Sequence, residues 1–184
     1  MRWDDLFRDL EAQLEAAEAA ELAGEVADRT RREVAALRLV DRLEPGVGHP
    51  VRLQVAGCGQ VAGTLVDVRP QWLLVDEAPG REALVRLDAV LGVSGLGARS
   101  AAPGRDGTVA ARLGLAYALR GIARDRLPVT LWLADGSIVA GTLDRVGEDF
   151  VELAEHAVGE PRRPAGVAGV RAVPFAALAV VRRS

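Results

Sequence analysis

The sequence contains no lysine and no asparagine, so all 23 of its basic residues are arginine. Without lysine there is no phosphate-loop lysine, no Schiff-base lysine and no kinase-type ATP lysine. Without asparagine there is no N-glycosylation acceptor. Histidine is limited to His49 and His156, and cysteine to Cys58. These three cannot make a structural zinc site or a disulfide framework. No metal and no cofactor is expected. Both missing residue types have A-rich codons, so their absence reflects a GC-rich genome more than a functional choice.

What is present defines a globular chain. Its 184 residues are 49% hydrophobic and 27% charged, which suits one or two small domains and not disorder. No apolar run approaches the roughly 20 residues needed to span a bilayer. The first residues are acidic, unlike a secretory signal, and a lone cysteine suits a reducing compartment. The expectation is a soluble cytoplasmic protein with no membrane contact. The net charge of −3 is unevenly spread. Residues 1–28 hold nine acids against Arg2 and Arg8, a balance of −7, so the remainder carries +4. That excess is too small to argue nucleic-acid binding by charge alone.

Residues 3–43 contain no proline and a single glycine, Gly24, among alanine, leucine, glutamate and arginine. This composition predicts a long acidic N-terminal helix over 1–44. Trp3, Phe7, Leu10, Leu14 and Ala17 follow 4-3-4-3 spacing, a narrow seam suited to a partner helix. Beyond it the apolar positions rotate to another face. Thr30-Arg31-Arg32-Glu33 matches a capping box, so a kink is expected near 28–30. Pro45, Gly46, Gly48 and Pro50 then end the helical segment.

The rest of the chain is an internal duplication. Residues 50–78 align without gaps on residues 128–156 with 11 of 29 positions identical, including Val61-Ala62-Gly63-Thr64-Leu65 over Val139-Ala140-Gly141-Thr142-Leu143. After a ten-residue insertion, Val85–Val90 aligns on Val173–Leu178. Each copy has alternating apolar strands and a tight turn, Gly57-Cys58-Gly59 or Asp135-Gly136. Gly63 and Gly141 fall inside the second strand, where glycine marks a structural bend. The domains expected are therefore 1–44, a first copy over 45–94, a linker plus helix over 95–127, and a second copy over 128–184.

The run Val129-Thr130-Leu131-Trp132-Leu133-Ala134-Asp135-Gly136, continued to Gly141-Thr142-Leu143, resembles the first signature motif of the Sm-like small barrels of the Sm, Lsm and Hfq type. Val173–Val180 resembles their closing strands and, more generally, those of SH3-like barrels. The resemblance covers roughly 100 residues. It implies an α+β, mainly β fold: two tandem Sm-like, SH3-like five-stranded barrels, each preceded by a helix, as in an uncharacterised bacterial family of tandem Sm-like proteins. The chain departs from the RNA-binding members of the family. Gly147 and Val151, or Arg69 and Leu73 in the first copy, stand where those members have an acidic residue and a base-contacting asparagine.

Candidate contacts are few. Trp132 occupies an outward strand position, so it either packs against a helix or the other barrel or offers a stacking platform for a base or peptide. Arg162 and Arg163 lie in the ten-residue insertion and could clamp phosphates or simply be solvated. Gly95–Ser100 resembles a phosphate loop only superficially, since no Lys-Ser/Thr follows it. His49, His156 and the four serines suggest no triad. The expected function is a non-catalytic binding or assembly module, not an enzyme, with residues 1–28 docking a protein partner or a second copy. The alternatives are an RNA- or DNA-binding regulator using arginine-rich loops, and a small-barrel enzyme.

Overall fold

The computed structural model describes residues 3–102, 113–157 and 168–183, the side chains of 3–9, 16, 19 and 20 excepted. It divides into one unit ending at Arg38 and a second beginning at Leu39. The first unit is α1, Trp3–Ala35, and the turn after it. Thr30 does not cap a new helix. Its hydroxyl donates to the Val26 carbonyl at 2.8 Å, one turn back, and α1 runs on through 28–30. Surface pairs Arg29–Glu33 and Arg31–Asp28 brace its last turns. The helix stops at Ala35, where 36 and 37 tighten into three-residue hydrogen bonds. Its exposed apolar residues Leu10, Leu14, Leu22, Val26 and Val34 do not form one stripe. At 3.6 residues per turn, Val34 is rotated by roughly 240° from Leu10.

Among the described residues, the second unit is built on a single antiparallel sheet of ten strands: β1 Pro50–Val55, β2 Gly59–Val68, β3 Trp72–Ala78, β4 Arg81–Arg86, β5 Val90–Ser94, β6 Pro128–Leu133, β7 Ile138–Val146, β8 Phe150–Glu155, β9 Gly169–Pro174 and β10 Leu178–Arg183. Their order is β5-β1-β2-β3-β4-β10-β6-β7-β8-β9. This corrects the expectation of two closed five-stranded Sm-like or SH3-like barrels. Closing a barrel would require β4 to pair with β5 of the same copy. Instead a three-residue 3₁₀ turn, Leu87–Ala89, carries β5 across to pair with β1. The outer edge of β4 is taken by β10 of the second copy.

A helix precedes each copy, but the two differ in length. The first copy is preceded by α2, Leu39–Leu43, only five residues long, because Pro45 turns the chain into a 3₁₀ segment. The second is preceded by α3, Leu115–Asp125, of 11 residues. Segment 95–102 is no loose tether. Arg42 of α2 donates to the carbonyls of Gly97, Ala98 and Arg99, and Ala101 N–H donates to Asp41 O. Carbonyls wrapped around a cation have the polarity opposite to that of a phosphate loop.

The strands repeat faithfully between copies. The long β2 pairs with β1 and then β3, as β7 does with β6 and then β8. A register shift falls at Leu65/Asp67 and again at Leu143/Arg145. Gly63 and Gly141 lie just before these shifts, where β2 and β7 cross a neighbour closely. A Cβ at Gly63 would collide with the carbonyl oxygen of Asp76, and one at Gly141 with that of Ala154. Even the irregularity opposite the last strand recurs, at Leu91 in β5 and Ala179 in β10.

Two cores lie along the sheet, and each takes residues from the other copy. The first gathers Val51, Leu53, Val61, Leu73 and Val85 with Ala179 and Val180 from β10. The second gathers Leu119, Leu131, Leu143 and Leu153 with Trp72 and Leu84 from β3 and β4. Each fully buried aliphatic side chain contributes roughly 1.5–3 kcal/mol. Neither core is complete within its own copy.

Candidate functional site

The two copies meet in the sheet where β4 pairs with β10. Val180 faces Val85, Val181 faces Leu84 and Arg182 faces Ala83. Period-two alternation sends Val85 and Val180 into the first core and Leu84 and Val181 into the second.

A clasp closes the junction. The Arg182 guanidinium donates from Nε to Glu77 Oε2 at 2.6 Å and from Nη2 to Glu77 Oε1 at 2.8 Å. Its Nη1 lies 3.4 Å from Cys58 Sγ, and its carbon sits 4.4 Å from the centre of the Trp132 ring. Only 17% of the Arg182 side chain and 15% of Glu77 remain exposed, so the pair is weakly screened. The Glu77 hydrogen bonds raise the Arg182 pKa above its ordinary value, against the opposing effect of burial. Planar, bidentate and stacked, this is a site that lysine would not reproduce.

Three further bonds tie the first copy to the second and to the helical segment before it. Arg86 Nε donates to Leu178 O at 2.8 Å. Trp72 Nε1 donates to Leu113 O at 2.9 Å, and the Gln71 side-chain oxygen accepts from Leu115 N–H at 2.8 Å, which caps α3. The β1–β2 turn rests on the β6–β7 turn so closely that a Cβ at Gly57 would collide with Leu133 O. Gly57 also has φ +65°, a conformation suited to glycine.

Trp132 therefore lies at this junction, half-buried against the first core with Arg182 over its ring. Of the proposed helix seam, Leu10 and Leu14 are 51% and 61% exposed, while the side chains of Trp3 and Phe7 lie outside the described residues. Arg162 and Arg163 also lie outside them. Leu73 and Val151, at the positions where the RNA-binding Sm-like members have asparagine, are fully buried.

The histidines are separated. His49 is exposed and its Nδ1 faces Val47 O at 3.2 Å. His156 is buried. With Nδ1 protonated in the neutral ring, it donates to Ala157 O at 3.0 Å, and Nε2 accepts from the Thr142 hydroxyl at 2.8 Å. In the first copy Ala78 replaces His156, and a cavity of about 610 Å³ opens beside Thr64, Asp76, Glu77 and Ser94. Among the described residues, no group of three or more His, Cys, Asp or Glu could hold a metal ion, and no helix is long and apolar enough to cross a membrane.

Glu77 and Arg182 had no individual signal in the sequence. Glu77 is one of the identities between the copies, with Glu155, but Arg182 aligns on Ser94 and Trp132 on Gln54. A clasp present in only one of two aligned copies is invisible to the alignment. No family model matches this chain, and no curated protein matches it.

Proposed function

We propose that the chain is a non-catalytic binding and assembly module, in which sheet edges and the N-terminal helix are the contact surfaces. One observation carries this reading. The two copies complete each other's cores by edge-to-edge pairing of β4 and β10, while the corresponding strands β9 and β5 end the sheet on either side. A fold that already uses strand addition inside the chain has the same chemistry available at its two ends. Leu10 and Leu14, exposed one turn apart on α1, support a second contact surface, for a partner or another copy.

Light scattering on the full chain and on a form lacking residues 1–27, with affinity capture before and after nuclease treatment, tests the proposal. The expected result is an assembly or a protein complex that survives nuclease, with deletion of 1–27 changing its composition. A strict monomer that captures no protein, or captures only nucleic acid, would overturn it.

A further inference from the structure

Independently of any assembly, we infer that the first copy holds a binding site for a small acid bearing an imidazole ring, in the cavity of about 610 Å³ beside Thr64 and Asp76.

The second copy supplies the template, because there the same place is filled from within the chain. The buried His156 ring has one nitrogen 2.8 Å from the Thr142 hydroxyl oxygen and the other 3.0 Å from Ala157 O. Both of those groups have counterparts in the aligned duplication: Thr64 for Thr142 and Pro79 for Ala157. Ala78 stands where the ring is rooted. The register is the same too, with Thr64 opposite Asp76 as Thr142 is opposite Ala154. The first copy thus repeats the hydroxyl and the backbone that hold an imidazole, and lacks the imidazole. Thr142 is fully buried, whereas Thr64 is exposed on the cavity with Ala78 and Pro79.

Two substitutions turn the empty place into a polar one. Asp76 replaces Ala154 directly across from the threonine. Its Oδ1 is buried and, among the described residues, has no hydrogen-bond partner. Buried carboxylate oxygens are ordinarily bonded, and a ring with N–H groups beside Asp76 brings both a donor and positive charge. Arg52 replaces Thr130. It stands opposite Ala62, and continuing the register of Thr64 and Asp76 puts Ala78 opposite Ala62 on the other side. Arg52 and Ala78 are therefore two strand spacings apart, roughly 10 Å. Arg52 is exposed, and its guanidinium has no hydrogen bond or ion pair among the described residues. A carboxylate carried a few atoms from the ring meets that guanidinium. Glu77, the third charged residue lining the cavity, is already held by Arg182.

Amide NMR titrations of the isotope-labelled full-length protein with imidazole, imidazoleacetic acid and acetate test the site. Imidazole should shift the amides of residues 62–64 and 76–78 and saturate at roughly millimolar concentration, as suits so small a ligand. Imidazoleacetic acid should shift the same amides and bind about tenfold tighter, through a charge-assisted bond to Arg52. Arg52→Ala should remove that gain and leave imidazole binding unchanged, and acetate alone should shift nothing. Ala78→His roots a ring in the cavity, as in the second copy, and Thr64→Val removes the hydroxyl at constant shape. Each should weaken both ring compounds about tenfold or more, with unchanged circular dichroism. Should Ala78→His fail to fold, Thr64→Val on the exposed face carries the test. No saturable shift with either ring compound, or equal affinity in wild type and Thr64→Val, would overturn the inference. Acetate shifting these amides as strongly as imidazoleacetic acid would also overturn it, leaving Arg52 as a plain anion contact.

Discussion

In the first copy the outer edge of β4 is covered by β10, and Leu84 behind it is buried in the second core. In the second copy the corresponding edge, β9, ends the sheet and Ala172 is exposed. Within each copy the strand pairings, register shifts and glycine crossings match. At the edges the residues diverge: Arg182, Trp132 and Leu84 on the inner junction, Ser94, Gln54 and Ala172 at their counterparts. Duplication alone produces the backbone pairing. The clasp of Arg182, Glu77 and Trp132 braces the inner junction, and the outer edges have no counterpart of it.

The sameness of the interiors can be broken first, because it carries the largest expected effects. Gly141→Val and Gly63→Val should each destabilise by about 3 kcal/mol or more, because the added side chain meets a neighbouring strand's carbonyl. Chemical denaturation should give similar losses for the two. A large loss in one and none in the other would show that the copies are not equivalent there.

The asymmetry of the edges is tested by placing one charge in both. Leu84→Asp buries an unpaired carboxylate in the second core and should cost about 3–5 kcal/mol, whereas Ala172→Asp at the exposed counterpart should stay within about 0.5 kcal/mol of wild type. Equal losses would remove the distinction between sealed and open edges. Removal of the clasp comes next. Arg182→Ala strands the Glu77 carboxylate and uncovers Trp132, for about 2–3 kcal/mol. Ser94→Ala, its counterpart, should be silent.

The smallest effect separates the two hairpins by pH. Asp135 accepts from the Ser137 hydroxyl at 2.7 Å and from its N–H at 2.9 Å, and these bonds hold its carboxyl below the ordinary value. A depressed folded-state pKa stabilises above the unfolded value and loses that contribution as pH falls through the folded one. Asp135→Ala should therefore lower Tm slightly at neutral pH, and the difference should vanish in acid. The Gly57-Cys58 hairpin has no carboxylate and should show no such dependence.

Much of the local structure was legible in the sequence. The duplication marked ten strands, since apolar alternation and paired glycines are local signals with a period of two. What could not be read was which edges would meet. Closure of a small barrel and addition of a neighbour's strand bury similar residues, and the choice depends on where the Leu87–Ala89 turn sends β5. The helical segment was also only partly legible. Composition set the helix, but Thr30, matching a capping box, bonds back within the helix, and the break falls at 36–38 where no proline or glycine marks it. Of the site, Trp132 was singled out for its outward position, whereas Arg182 was one arginine among 23.

Amide hydrogen exchange at residues 84 and 172 tests the central claim most directly, that the chain is sealed across β4 and β10 and open along β9. At high dilution the Leu84 amide should exchange only through global unfolding and the Ala172 amide should exchange freely. Equal protection of both amides in the dilute monomer, or free exchange at Leu84, would contradict it.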